Sequence, residues 1–172
     1  MRILGLVACT HDSGIALIEN GVPGLILEEE RLNRDKHTKA FPRLSLEAAF
    51  GPRLAGLEGV DAITTPWDVA KLRSSFAKAV FGRLPGSLSL VLESTHTPQD
   101  NEIVLLNLTL SRKLRRLAGR RLPQQIINVG HHDSHAASFF VSPFEEATVL
   151  VMDGYGDDAA TSVYSGRGNR LE

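Results

Sequence analysis

The sequence predicts an α/β fold with a mixed sheet that opens on a β-hairpin and is flanked by helices. Three observations carry this reading: short apolar runs at the N-terminus split by an Asn-Gly pair, helical periodicity through the middle, and a return to apolar runs near the end. Strands, then helices, then a strand, a helix and further strands describe an α/β lobe rather than a helical bundle.

Each element has its own reason. "RILGLVA" (residues 2–8) is continuously apolar, as in a strand buried on both faces. "SGIALIENGVPGLILEEER" holds two apolar runs around Asn20-Gly21, which supply the positive φ of a tight hairpin, so three strands open the chain. The charged stretch "EEERLNRDKHTKAFP" is expected to run over the surface. "SLEAAFGPRLAGL" reads as a helix capped by Ser45 and broken or kinked at Gly51-Pro52. "DAITT" reads as a strand, "WDVAKLRSSFAKAVFGRL" as an amphipathic helix and "PGSLSLVLESTHTPQ" as loop-rich. From about Asp100 to Arg121, Ile103, Leu106, Leu110, Leu114 and Leu117 fall on one helical face. "QIINV" then reads as a strand, "HHDSHAASFFV" as a short helix, and "ATVLVMD" and "AATSVYSGRG" as strands. No helix follows the last strand, and the chain looks cut short.

An apolar fraction of 42% and a charged fraction of 23% belong to an ordinary globular chain rather than a disordered one. The net charge of -1 gives no global attraction to nucleic acid or to an anionic membrane. The single cysteine, Cys9, excludes an intrachain disulfide and fits a reducing compartment, with a buried inert thiol as its default role. No apolar run approaches ~18 residues, so a membrane span is not expected and a cytoplasmic location is.

Two places could carry chemistry. In "HHDSH", His131 and His135 stand at i and i+4, one turn apart on a helix, a spacing at which two imidazoles hold one metal ion. His132 and His135 are an alternative pair, and a helix start capped by Asp133 or Ser134 is the alternative without a metal. "TVLVMDGYGD" ends a buried-type strand on Asp153, then turns through Gly154 and Gly156, which allow close backbone approach to a ligand. Two histidines and an aspartate form a mixed set suited to iron, zinc or manganese. The second place is "THDSG". A turn through Asp12, Ser13 and Gly14 could cradle a phosphate and hold a cation, with His11 as a general base. "RKLRRLAGRR" (112–121) is strongly basic but reads as a solvated helix end rather than a nucleic-acid contact. His96 reads as a loop residue.

Taken together, "ILGLVACTHDSGIALIENG", "LEEERLNRDKHTKAFP" and "VGHHDSHAASFFVSPFEEATVLVMDGYGDDAATSVYSGRGNRLE" resemble, in this order, the N-terminus of the carbamoyltransferases of nodulation-factor, cephamycin and tobramycin biosynthesis. The motifs cover about residues 2–42 and 125–172; the stretch at about 43–124 carries none of them.

The resemblance implies one lobe of an actin-like ATPase fold (sugar kinase, Hsp70, actin) spanning 1–172. The second lobe and the C-terminal carbamoyl-adenylate-forming domain of the family are missing from it. It implies transfer of a carbamoyl group from carbamoyl phosphate, through carbamoyl-adenylate made with ATP, to a hydroxyl of a small-molecule acceptor. By position it puts metal ligands, for iron(II) before zinc or manganese, on His131, His135 and Asp153. His11 falls at the transfer site beside Asp12, and Lys36 and His37 fall on a stretch contacting donor or acceptor. A missing second lobe or a homodimer partner would complete the lobe, with neither membrane nor nucleic acid as partner. Two alternatives stand beside this: a protein of tRNA threonylcarbamoyl-adenosine synthesis, and a non-catalytic actin-like binding lobe.

Overall fold

The computed structural model describes residues 1–9, 12–86, 105–154 and 156–172. His11, His96, Ile103 and most of the stretch read as loop-rich lie outside the described residues. The chain divides into two compact units, Met1–Thr65 with Ser89–Asn128, and Pro66–Leu88 with Val129–Glu172.

The first unit is built on a five-stranded mixed sheet. Its strands are β1 (Arg2–Val7), β2 (Gly14–Glu19), β3 (Val22–Glu28), β4 (Ala62–Thr65) and β5 (Ile126–Asn128), in the order β3-β2-β1-β4-β5. β1 pairs antiparallel with β2, and β2 with β3, while β4 runs parallel to both β1 and β5. The central position of β1 explains its continuous apolarity: Leu4 and Leu6 are fully buried. The hairpin turns where expected, with Asn20 at φ 51° and Gly21 at φ 84°.

The charged stretch after β3 is largely exposed, as expected, but Glu29 departs from that reading. The stretch folds into α1 (Glu29–Asn33), and Glu29 is only 2% exposed. Its carboxylate accepts from Leu44 N (3.0 Å), Ser45 N (2.8 Å) and Ser45 Oγ (2.8 Å). These amides belong to the first turn of α2 (Arg43–Phe50), so Glu29, not Ser45, caps that helix. The reason is electrostatic: a carboxylate satisfies free amides where the helix dipole also favours negative charge. Gly51, at φ 74°, ends α2 ahead of a 3-10 segment (Pro52–Gly59), as the Gly-Pro pair predicts. In the basic helix, here α4 (Leu106–Ala118), Leu106, Leu110 and Leu114 are buried while Leu117 is only partly covered.

The second unit holds α3 (Val69–Phe81), whose Asp68 cap accepts from Ala70 N and Lys71 N. It continues with α5 (His131–Ala136), a 3-10 segment (Ala137–Val141) and an antiparallel sheet of β6 (Glu146–Met152), β7 (Thr161–Arg167) and β8 (Arg170–Leu171). Phe139 packs over Gly166, where an added Cβ would lie 2.8 Å from the ring. β6 is not the buried strand its apolar run suggests. Only one face is covered; Leu150 (58%) and Met152 (73%) on the other are exposed, with Val163 (65%) paired opposite Leu150. No helix among the described residues is long and apolar enough to cross a membrane.

Candidate metal centre

His131 is the first residue of α5, and helical spacing brings His135 one turn on to the same face. Asp153 follows β6 directly. Its backbone N–H is fixed by Ala160 O (2.9 Å), and its Oδ1 accepts from Gly154 N (2.6 Å). That leaves Oδ2 facing the histidines. His131 Nε2 lies 2.7 Å from Asp153 Oδ2, His135 Nε2 lies 3.4 Å from the same oxygen, and the two Nε2 atoms are 3.2 Å apart. The pair that converges is therefore His131 and His135.

His132 points elsewhere: it is buried, its Nδ1 lies 2.6 Å from Ser162 Oγ, and its Nε2 abuts Gly156.

The triangle can be compared with what an ion requires. Two ligand atoms each about 2.1 Å from a first-row metal lie about 3.0 Å apart at a right angle and about 3.4 Å apart at the tetrahedral angle. The observed edges of 2.7, 3.2 and 3.4 Å fit the right-angle arrangement with shifts of a few tenths of an ångström, while the tetrahedral one needs the 2.7 Å edge to open by about 0.7 Å. Orientation is set as well. His131 Nδ1 donates to the carbonyl of Pro66 (3.2 Å), which can only accept, so Nε2 is the nitrogen available to a metal. The hydrogen bond from His131 holds the Asp153 carboxyl below the usual carboxylate range, as the Gly154 amide and the charges of His131 and His135 also do, against the opposing effect of burial.

Several neighbours of this site carry little or no signal in the sequence. Trp67 stacks on the His131 ring, with centroids 4.1 Å apart and planes within 15°. Asp157, 5% exposed, accepts from His131 N (2.7 Å) and Asp68 N (3.0 Å). It is the last residue of the "DGYGD" turn, so its presence was visible but its partners were not. Tyr164 donates to Asp133 Oδ1 (2.8 Å); burial foremost, and then this contact, raises its hydroxyl above the ordinary tyrosine value. Beside the cluster a cavity of about 370 Å³ is lined by His135, Ser138, Leu150, Met152 and Asp153 among others.

The first unit holds the remaining predicted residues. Asp12 (φ 62°) and His37 (φ 54°) meet, Nδ1 to Oδ1 at 2.9 Å, and Glu30 joins them by accepting from His37 N at 3.0 Å. Ligand atoms of these three residues lie within 4.8 Å of one another. Glu30 is absent from the sequence-based set. Lys36 is exposed and outside this group. Ser13 is fully buried, and Gly14 sits inside β2, where a Cβ would meet the Leu27 carbonyl at 2.7 Å. Gly14 thus serves strand pairing. Of the two glycines after Asp153, Gly154 is open and Gly156 is packed against His132.

A family model described as Carbamoyltransferase N-terminus matches residues 2–172. The chain belongs to that family. The match includes residues 43–124, which carry none of the three motifs. Among curated relatives, "Uncharacterized protein sll1178" of Synechocystis sp. is 36% identical over 181 residues, covering 99% of this chain and 28% of that protein. "Nodulation protein NolNO" of Sinorhizobium fredii is 32% identical over 165 residues, covering 94% of this chain and 22% of that protein. The chain therefore spans 28% and 22% of the lengths of these two relatives.

Proposed function

We propose that this chain supplies the N-terminal machinery of an O-carbamoyltransferase, in which His131, His135 and Asp153 hold a divalent metal, iron(II) before zinc or manganese. The observation that carries the reading is the triangle of two imidazole nitrogens and one carboxylate oxygen, already at metal-ligand spacing in a chain of this family. The five-stranded mixed sheet, antiparallel on one side of β1 and parallel on the other, supports reading residues 1–172 as part of an actin-like ATPase lobe.

The reaction is transfer of a carbamoyl group, delivered from carbamoyl phosphate and ATP as carbamoyl-adenylate, to a hydroxyl of a small acceptor. A metal held by the triad supplies a Lewis acid that polarises the donor carbonyl. The protein's own part is positional and protolytic. Pro66, accepting from Nδ1, turns the Nε2 edge of His131 toward Asp153 and would hold that nitrogen toward a metal. In the first unit Asp12 Oδ1 accepts from Nδ1 of His37 at 2.9 Å and orients that ring as a proposed donor or acceptor contact. His11 is the proposed general base of the first unit, with Lys36 a proposed donor or acceptor contact, and in the second unit the exposed Gly154 is the proposed phosphate contact. Ser13, fully buried, and Gly156, packed against His132, offer no open face for one.

The test is metal analysis of the purified chain loaded with iron(II) or zinc under anaerobic conditions. About one ion per chain is expected, lost in His131→Ala and in His135→Ala and largely retained in His132→Ala. Unchanged occupancy in both ligand variants would sink the reading.

A further inference from the structure

We infer that Asp157 is the positioning residue that aims His131 at the metal, acting through backbone rather than as a ligand. This rests on the reading of His131 as a ligand. Three consecutive residues, Pro66, Trp67 and Asp68, converge on the same histidine. The Pro66 carbonyl accepts from Nδ1 (3.2 Å), the Trp67 ring stacks at 4.1 Å, and the Asp68 amide is tied to the His131 amide through Asp157.

Each oxygen of Asp157 has one job. Oδ2 accepts from His131 N at 2.7 Å, the first amide of α5, whose preceding residue Gly130 offers no side-chain cap. Oδ1 accepts from Asp68 N at 3.0 Å and draws the 66–68 segment against the ring. The carboxylate is 5% exposed, so water cannot readily stand in for either bond. A neutral amide can accept one of the two bonds and must present an N–H to the other donor. One arm of the clamp therefore opens, and the ring loses either its backbone anchor or its stacked wall.

The experiment uses Asp157→Asn in the whole chain, with His131→Ala as a positive control and Asp158→Asn, at an exposed neighbour, as a negative control. Titrated with zinc, Asp157→Asn should still take one ion, since all three ligands are intact, but with affinity lower by about 10–100-fold. The second readout needs no metal. Trp67 is the chain's single tryptophan, and with the His131 imidazole stacked on its ring its emission is expected to be quenched. Emission of the metal-free Asp157→Asn variant should rise toward that of His131→Ala, with Asp158→Asn matching wild type. Wild-type emission and wild-type affinity in Asp157→Asn would overturn the inference. If the wild-type chain takes no zinc, the ligand reading falls, while the emission still decides whether Asp157 positions the ring. Should the variant not fold, hydrogen exchange on the wild-type chain decides: slow exchange of the His131 and Asp68 amides supports the clamp, and exchange at exposed-amide rates removes it.

Discussion

Replacing Glu29 with glutamine tests the least expected feature of the fold. The wild-type carboxylate is 2% exposed and accepts three hydrogen bonds, at 3.0, 2.8 and 2.8 Å, from the first turn of α2. Glutamine keeps the shape but turns one acceptor oxygen into a donor. With its oxygen toward Ser45, the amide nitrogen confronts the Leu44 N–H; turned over, it confronts the Ser45 amide and hydroxyl. At least one bond to a charged acceptor is lost, at about 1.5–3 kcal/mol. The amide that loses its partner is masked from water, while removing a buried charge returns part of its desolvation cost. The net expectation is a loss of about 2 kcal/mol. For a chain of this size that lowers Tm by roughly 4–8 °C. Urea or thermal unfolding followed by far-UV circular dichroism measures it, with exposed Glu58→Gln as the reference. A Glu29→Gln Tm within about 1 °C of wild type would refute the capping argument.

Two further outcomes follow from the second unit. The folded Asp153 carboxyl sits below the ordinary carboxylate range because His131 donates to it, so its contribution to stability is complete above the unfolded-state value and is lost as pH falls through the lowered folded value. In metal-free protein, Asp153→Asn should flatten that part of the acid limb in a pH series of urea midpoints; an unchanged acid limb contradicts the pairing. Gly166→Ala should lower stability by about 1–3 kcal/mol, since its Cβ would lie 2.8 Å from the Phe139 ring, and unfolding midpoints that match wild type would show that the ring moves freely.

Much of this fold could be read from local pattern. The Asn20-Gly21 hairpin, the break at Gly51-Pro52 and the Leu106, Leu110, Leu114 stripe all follow from residues within a few positions of one another. The convergence of His131 and His135 is helix periodicity of the same kind. What escaped depends on partners far along the chain. Asp157 meets Asp68 across 89 residues, and Asp12 meets His37 across 25, so neither contact leaves a local trace. Glu29 reads as surface because a run of three glutamates says nothing about the helix start waiting 15 residues on. The apolar run of β6 misled for a different reason: apolarity marks a strand but does not say how many layers cover it, and here Leu150 and Met152 have none among the described residues.

The ligand triangle also bears on selectivity. Its edges, between 2.7 and 3.4 Å, need smaller shifts for a six-coordinate ion than for a four-coordinate one, the 2.7 Å edge opening by about 0.3 Å in the first case and about 0.7 Å in the second. If the triad holds an ion as proposed, its three donors would lie on one side of it, and further ligands would complete the coordination from the other. Mixed nitrogen and oxygen donors then rank the divalent ions by their intrinsic order, in which zinc binds more tightly than iron(II). On the proposed reading, supply in the cell would then weigh heavily in which ion the triad takes, and protein purified in zinc-rich medium should carry zinc.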